Sequence, residues 1–184
     1  MSLQADISRA EETSLTNEDI SHFLKNDVHV VLYTQLINLS DIRTLFIETS
    51  NVVLLYPVES RTNGHYVALW YDWDTNTLNH WDSYGMTINE DIKHSKQLMH
   101  SETRNTRLAL PHLLDKFKKD GGTLIVNQIR MQVLNNQIST CGRWSIVRLL
   151  MKHLDNKQFR SYMKLKDLTP DEIISLMTFA YLRK

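Results

Sequence analysis

The chain has 184 residues, 42% of them hydrophobic and 23% charged, with 21 basic side chains against 21 acidic ones. This is enough for one domain with a substantial core, and a formal net charge of zero gives no indication of a general polyanion-binding surface while leaving room for a local basic patch. A single cysteine excludes an internal disulfide, no apolar run approaches a membrane span, and the polar start Met1-Ser2-Leu3-Gln4-Ala5-Asp6 is unlike a signal peptide. The expectation is therefore a soluble, intracellular, monomeric protein with one domain over residues 1–184 and no membrane partner.

Residues 1–13 are polar and are expected to be loose. Thr16-Asn17-Glu18-Asp19 predicts a helix N-cap, with Ile20, Phe23 and Leu24 following at helical spacing. A short strand is predicted from Val28 to Leu32, then a second short helix capped at Ser40-Asp41 and running through Phe46 and Ile47. Val52-Val53-Leu54-Leu55-Tyr56, ended by Pro57, reads as a buried strand. Tyr66 to Tyr71 reads as another, Asp72 to Asn76 supplies turn chemistry, and Thr77 to Trp81 returns as its hairpin partner. Residues 86–105 read as a polar loop, and 106–119 as a helix ended by Gly121-Gly122. A strand is predicted over 123–133, a polar loop over 134–140, and a helix from Cys141. Two more helices follow, the last opening at Thr169-Pro170-Asp171-Glu172 with proline in the first turn. The fold class is α+β, a mixed sheet of about five strands flanked by helices.

Three residues carry chemistry in this arrangement. Cys141 opens an amphipathic helix, where the positive end of the helix lowers a thiol pKa, so it is the candidate nucleophile. Gly142 behind it lets the backbone approach a substrate carbonyl. The hairpin brings the start of one strand, His65, to the same edge as the end of its partner, Asp82, so a histidine–carboxylate hydrogen bond is available. His65 is the candidate base and Asp82 its orienting group. Asp72 and Asp74 lie at the opposite end of the hairpin. No cluster has zinc-ligand spacing, and no metal or cofactor is expected.

The ordered constellation Gly64-His65-Tyr66, Trp81-Asp82-Ser83-Tyr84-Gly85, Gln132 and Thr140-Cys141-Gly142-Arg143-Trp144 resembles the adenain-like and SUMO-deconjugating cysteine proteases over roughly residues 52–155. It is most similar to the maturation proteases of virophages and Maverick/Polinton-type elements, which carry a Thr-Cys-Gly-Arg block. The sequence departs from the family pattern in placing Tyr66 where tryptophan is usual, and in setting its glutamine nine positions before Cys141. The resemblance implies the adenain-like fold and a Cys141–His65–Asp82 triad, with Gln132 as an oxyanion donor beside the Cys141 backbone N–H. Gln132 is favoured over Gln137 because a strand end can converge on the carbonyl from outside the helix turn. The implied activity is cleavage of capsid or other structural precursors at small-residue, glycine-containing sites during maturation, in the virion and host cytoplasm. A non-covalent peptide or nucleic-acid activator stays open. Two alternatives also stay open: a protease removing SUMO or ubiquitin-like modifiers, and a non-catalytic binding relative of the fold.

Overall fold

Two strands buried on both faces form the centre of the molecule. The structure is a computed structural model that describes residues 3–58, 64–135, 138–165 and 167–182. In it, β1 spans His29–Leu32, β2 Asn51–Pro57, β3 Gly64–Asp72, β4 Thr77–Trp81 and β5 Thr123–Val126. They hydrogen-bond in sequence order, β1 and β5 parallel to their neighbours at the edges and β2, β3 and β4 antiparallel between them. All of β2 is buried, and β3 is buried except at its two ends.

Because side chains alternate across a strand, the central apolar runs feed two cores at once. Val53, Leu55, Tyr66, Ala68 and Trp70 join one, and Val52, Leu54, Tyr56, Val67, Leu69 and Tyr71 the other. The helices are α1 (Leu3–Glu12), α2 (Asn17–Phe23), α3 (Ile88–His94), α4 (Lys96–Ser101), α5 (Arg104–Arg107), α6 (Ala109–Lys119), α7 (Cys141–Leu150), α8 (Asn156–Tyr162) and α9 (Pro170–Leu182). Residues of α2, α7, α8 and α9 fill the first core, where Trp81, Trp144 and Phe159 meet in tilted and edge-on ring contacts. The 3₁₀ segments Tyr33–Asn38 and Ile42–Phe46, with α3, α4 and α6, fill the second. The chain is thus α+β, with a five-stranded mixed sheet between helical layers.

Several local expectations are met for the stated reasons. The Thr16 hydroxyl and the Asp19 carboxylate cap α2 reciprocally, and Thr169 and Glu172 do the same for α9. Gly121, at φ +82°, ends α6 in the left-handed conformation.

Other expectations need correction. Residues 1–13 are not loose throughout: α1 packs on α9, burying Ile7 and Ala10, and the buried Arg143 Nε donates to the Ala10 carbonyl at 3.0 Å. Residues 86–105 hold α3, α4 and the start of α5, opened by Thr87, Ser95 and Thr103 hydroxyls that accept backbone N–H bonds. These helices are too short to show a hydrophobic period. The helix expected over 106–119 is broken at Leu108, where α5 gives way to α6. The segment capped by Asp41 is 3₁₀ rather than α.

The strand expected over 123–133 stops at Val126. There the Asn127 side chain replaces the ladder: its Nδ2 donates to the carbonyls of Asp82 (2.7 Å) and Ile129 (3.0 Å), and its Oδ1 accepts from the Ile129 N–H. A side chain that bonds its own backbone two residues on favours a turn over a strand.

Candidate active site

The β3–β4 register pairs Ala68 with Trp81, so the chain running past the ladder brings Asp82 to the start of β3. Asp82 Oδ1 accepts a hydrogen bond from His65 Nε2, and its Oδ2 accepts the Met86 N–H at 2.7 Å. The tight turn that returns Met86 needs Gly85: its φ is +68°, and an added Cβ would lie 2.8 Å from the Arg130 nitrogen. Gly64, before His65, is required by contact, since a Cβ there would lie 1.9 Å from the Tyr56 carbonyl oxygen. Both motif glycines therefore have a backbone reason to be glycine.

His65 is 5% exposed and Asp82 fully buried. The His65 ring also stacks on Tyr84, centroids 4.8 Å apart. With Nε2 held by Asp82, Nδ1 is the nitrogen left for the Cys141 sulfur, and it has no other partner among the described residues. Cys141 is the first residue of α7 and is half-buried.

Burial alone would push the Cys141 thiol up. The hydrogen bond and charge of His65, with the backbone N–H groups of Tyr66 and Gly142, outweigh it and hold the thiol below its ordinary value. For His65, burial alone would lower the imidazole. The charge and hydrogen bond of Asp82, reinforced by the Cys141 sulfur, override it and keep His65 well above its usual range. A thiol lowered and an imidazole raised are the conditions for a thiolate–imidazolium pair.

The structure thus brings together His65, Asp82 and Cys141. Gln132 joins them indirectly. It lies past the end of β5 but stays beside β4, because the Met131 and Gln132 N–H groups both donate to the Ser83 carbonyl. Its Oε1 accepts from the Ser83 hydroxyl at 2.7 Å and its Nε2 donates to the Tyr84 hydroxyl at 3.1 Å. The amide is therefore fixed against the residue that stacks on His65. Gln132 is 1% exposed and does not itself line the cleft. Gln137 lies outside the described residues.

Asp171 is a site residue that sequence reading missed. Its carboxylate accepts from the Thr140 hydroxyl (2.5 Å), the Trp144 indole N–H (2.8 Å) and the Val133 N–H (2.9 Å). One buried side chain in the first turn of α9 thereby ties the residue before Cys141 to the residue after Gln132. In the sequence Asp171 looks like an ordinary first-turn acid, and only the fold turns it inward.

A second buried acid lies next to the pair. Ligand-type atoms of His65, Asp82 and Asp91 fall within 4.8 Å of one another, a grouping that sequence spacing could not reveal. His65 Nε2 and an Asp82 oxygen already bond each other, so this is a hydrogen-bonded pair with a carboxyl beside it rather than an open cation cage. Neither Asp91 oxygen has a hydrogen-bond partner among the described residues, and the nearby His80 is held neutral by burial, its pKa lowered to about 4.

Burial, then the Asp82 charge, raises the Asp91 pKa far above the usual carboxylate range. In the unfolded chain an aspartate ionises near pH 4, while folded Asp91 keeps its proton to higher pH. Folding therefore takes up a proton in this window. Stability falls as pH rises through it, and the penalty is complete above the folded pKa. Asp91→Asn should raise stability near pH 9 by more than about 1.4 kcal/mol, the worth of one pKa unit, with the gain vanishing near pH 4. Thermal midpoints of both proteins across pH check this; parallel curves would contradict it.

His65, Tyr66, Tyr84, Cys141 and Gly142 line a cleft of about 520 Å³. A larger hollow of about 850 Å³, at the far end of the hairpin beside Asp72, Trp73 and Lys152, contains none of these groups. Among the described residues no helix is long and apolar enough to cross a membrane.

Fold and site together define an α+β protein in which a cysteine at a helix N-terminus faces a buried histidine–aspartate pair at one end of a five-stranded mixed sheet. No family model matches the chain. It is similar to "Uncharacterized protein V9" of Sputnik virophage, 33% identical over 173 residues that cover 91% of this chain and 95% of that protein. The chain belongs to this virophage protein family.

Proposed function

We propose that the protein is a thiol endopeptidase of adenain-like fold that processes capsid or other structural precursors during virus maturation. The observation that carries this reading is the buried His65, bonded through Nε2 to Asp82 and presenting its other nitrogen to a Cys141 thiol whose pKa is lowered. Kinship to a virophage protein supports a viral precursor over a cellular modifier conjugate as substrate, and supports action in the virion and host cytoplasm.

In this mechanism the Cys141 thiolate attacks the scissile carbonyl. The His65 imidazolium gives its Nδ1 proton to the leaving amine, and the acyl-enzyme remains on sulfur. His65 then takes a proton from water, which attacks the thioester and releases the acid and the free thiolate. Asp82 keeps Nε2 protonated and so keeps Nδ1 directed at sulfur. Developing oxyanion charge falls to the Cys141 backbone N–H; the Gln132 amide, buried behind Tyr84 with one N–H group not used within the described residues, serves as second donor once substrate displaces Tyr84 enough to admit it.

Loss of one such donor costs about a hundred- to a thousand-fold in turnover. Gln132→Ala should lower kcat by about that factor with KM little changed, since the bond strengthens only as the oxyanion forms. Gln137→Ala should be mild. Steady-state kinetics of both variants on one peptide decide it: a large loss confined to Gln137→Ala moves the donor to that position.

The reading as a whole is tested by incubating purified protein with a virophage capsid precursor and weighing the products by intact mass. Defined fragments that form with wild type and not with Cys141→Ala support it. An intact precursor under both conditions contradicts it.

A further inference from the structure

We propose that the cleft selects substrates with an acidic side chain on the side of the scissile bond that crosses Tyr84, and that Lys93, Lys96 and Arg130 read that charge. This rests on the peptidase reading and adds a substrate class to it.

Lys96 is the one lysine or arginine among the described residues lining the 520 Å³ cleft, with no carboxylate there to offset it. The cleft continues past Tyr84 and His94, which it shares with an adjoining hollow of about 350 Å³ that adds Lys93, Arg130 and Glu90. Glu90 keeps its negative charge there, accepting the Thr87 N–H at 2.7 Å in the α3 capping box with Lys93 acting on it, so the two hollows together carry an excess of two positive charges. Lys93, Lys96 and Arg130 are all exposed, and none is in a salt bridge among the described residues.

Partial burial, then the neighbouring His65 charge, lowers the His94 pKa, which disfavours a further positive charge here. The connection 59–63, outside the described residues, carries Glu59 and Arg61, which cancel formally.

At the opposite wall the Tyr66 hydroxyl donates to Asn17 Oδ1, and no carboxylate lines the cleft there among the described residues. A chain with no net charge therefore has a cleft that is cationic on its Tyr84 side. Such a field aligns a peptide with an acid at one end and penalises the reverse orientation. Three cations around an aromatic-walled hollow suit one or two carboxylates. A phosphate backbone would call for a longer basic track.

The test is a cut-site profile. A proteome-derived peptide library is digested with wild type, Cys141→Ala and the double variant Lys96→Glu/Arg130→Glu, and the cuts are read by mass spectrometry. Wild type should enrich Asp or Glu about three- to tenfold at one or two positions on a single side of the cut, as rim charges of this kind do. The enrichment should shrink at about 0.5 M salt. The double variant should lose it, and should instead favour Lys or Arg at the same positions of the cut.

Cys141-dependent cuts with no acidic preference, or a preference unchanged by charge reversal, overturn the inference and leave the peptidase reading standing. The inference also falls if a short oligonucleotide binds through these cations while cut sites ignore acidic side chains. Absence of any Cys141-dependent cut overturns both.

Discussion

Replacing Cys141 with alanine is expected to abolish peptide cleavage, a loss on the order of 10⁵–10⁶ in turnover, as for nucleophile removal in other acyl-transfer triads. Cys141→Ser should be inactive as well, because a hydroxyl beside the same imidazole is a far weaker nucleophile than the thiolate. Neither change should unfold the protein. The start of α7 is held by other groups: the Thr140 hydroxyl and Trp144 indole on Asp171, and the Arg143 guanidinium on Ala10 and Thr178. The half-buried sulfur contributes little beside them, and stability should stay within about 1 kcal/mol of wild type. Turnover and thermal midpoint measured on the same preparations check both halves. Wild-type turnover in purified Cys141→Ala would remove the enzymatic reading altogether.

Loss of the base should be nearly as severe. His65→Ala is expected to cost several orders of magnitude in turnover, and Asp82→Asn less, roughly 10²–10⁴. The asparagine effect follows from its donors and acceptors. Asp82 now accepts from His65 Nε2 with one oxygen and from the Met86 N–H with the other. An amide has one acceptor oxygen, so its NH₂ must face either the imidazole N–H or the Met86 N–H. It therefore favours the wrong tautomer or opens the turn at Gly85. His80→Ala should instead leave turnover largely intact, because that ring sits among Tyr56 and Asp91 and does not line the cleft. If His80→Ala inactivates the enzyme while His65→Ala does not, the base has been misassigned.

What could be read in advance follows the range of each interaction. The central hairpin was legible because its apolar runs and its turn are contiguous, and register alone then placed His65 near Asp82. The Cys141 helix start was legible from an amphipathic run behind a polar loop. The end of β5 was not: after Leu124, Ile125 and Val126 the apolar residues Ile129, Met131 and Val133 alternate with polar ones as a continuing strand would, and the break is made by Asn127 bonding to a carbonyl just past the end of β4. α1 was missed because its inward residues, Ile7 and Ala10, are few, and its attachment is a guanidinium from residue 143. Asp171 and Asp91 belong to the same class. Asp171 looks like a helix first-turn acid in the sequence and Asp91 like part of a polar loop, and each becomes a buried partner of the site only when distant segments pack against it.

The central claim is that His65 activates Cys141, and the most direct measurement is the alkylation rate of this single thiol by iodoacetamide as a function of pH. An isolated thiol gains reactivity around its ordinary pKa, near 8.5. The folded wild type should react as a thiolate at clearly lower pH, because His65 and the N–H groups of Tyr66 and Gly142 hold the thiol down. In His65→Ala burial is left with less to oppose it, so the rise should move to higher pH and the rate near neutrality should drop by at least about tenfold, the effect of one pKa unit. A wild-type profile that rises only near the ordinary thiol pKa, and does not move in His65→Ala, would contradict the account.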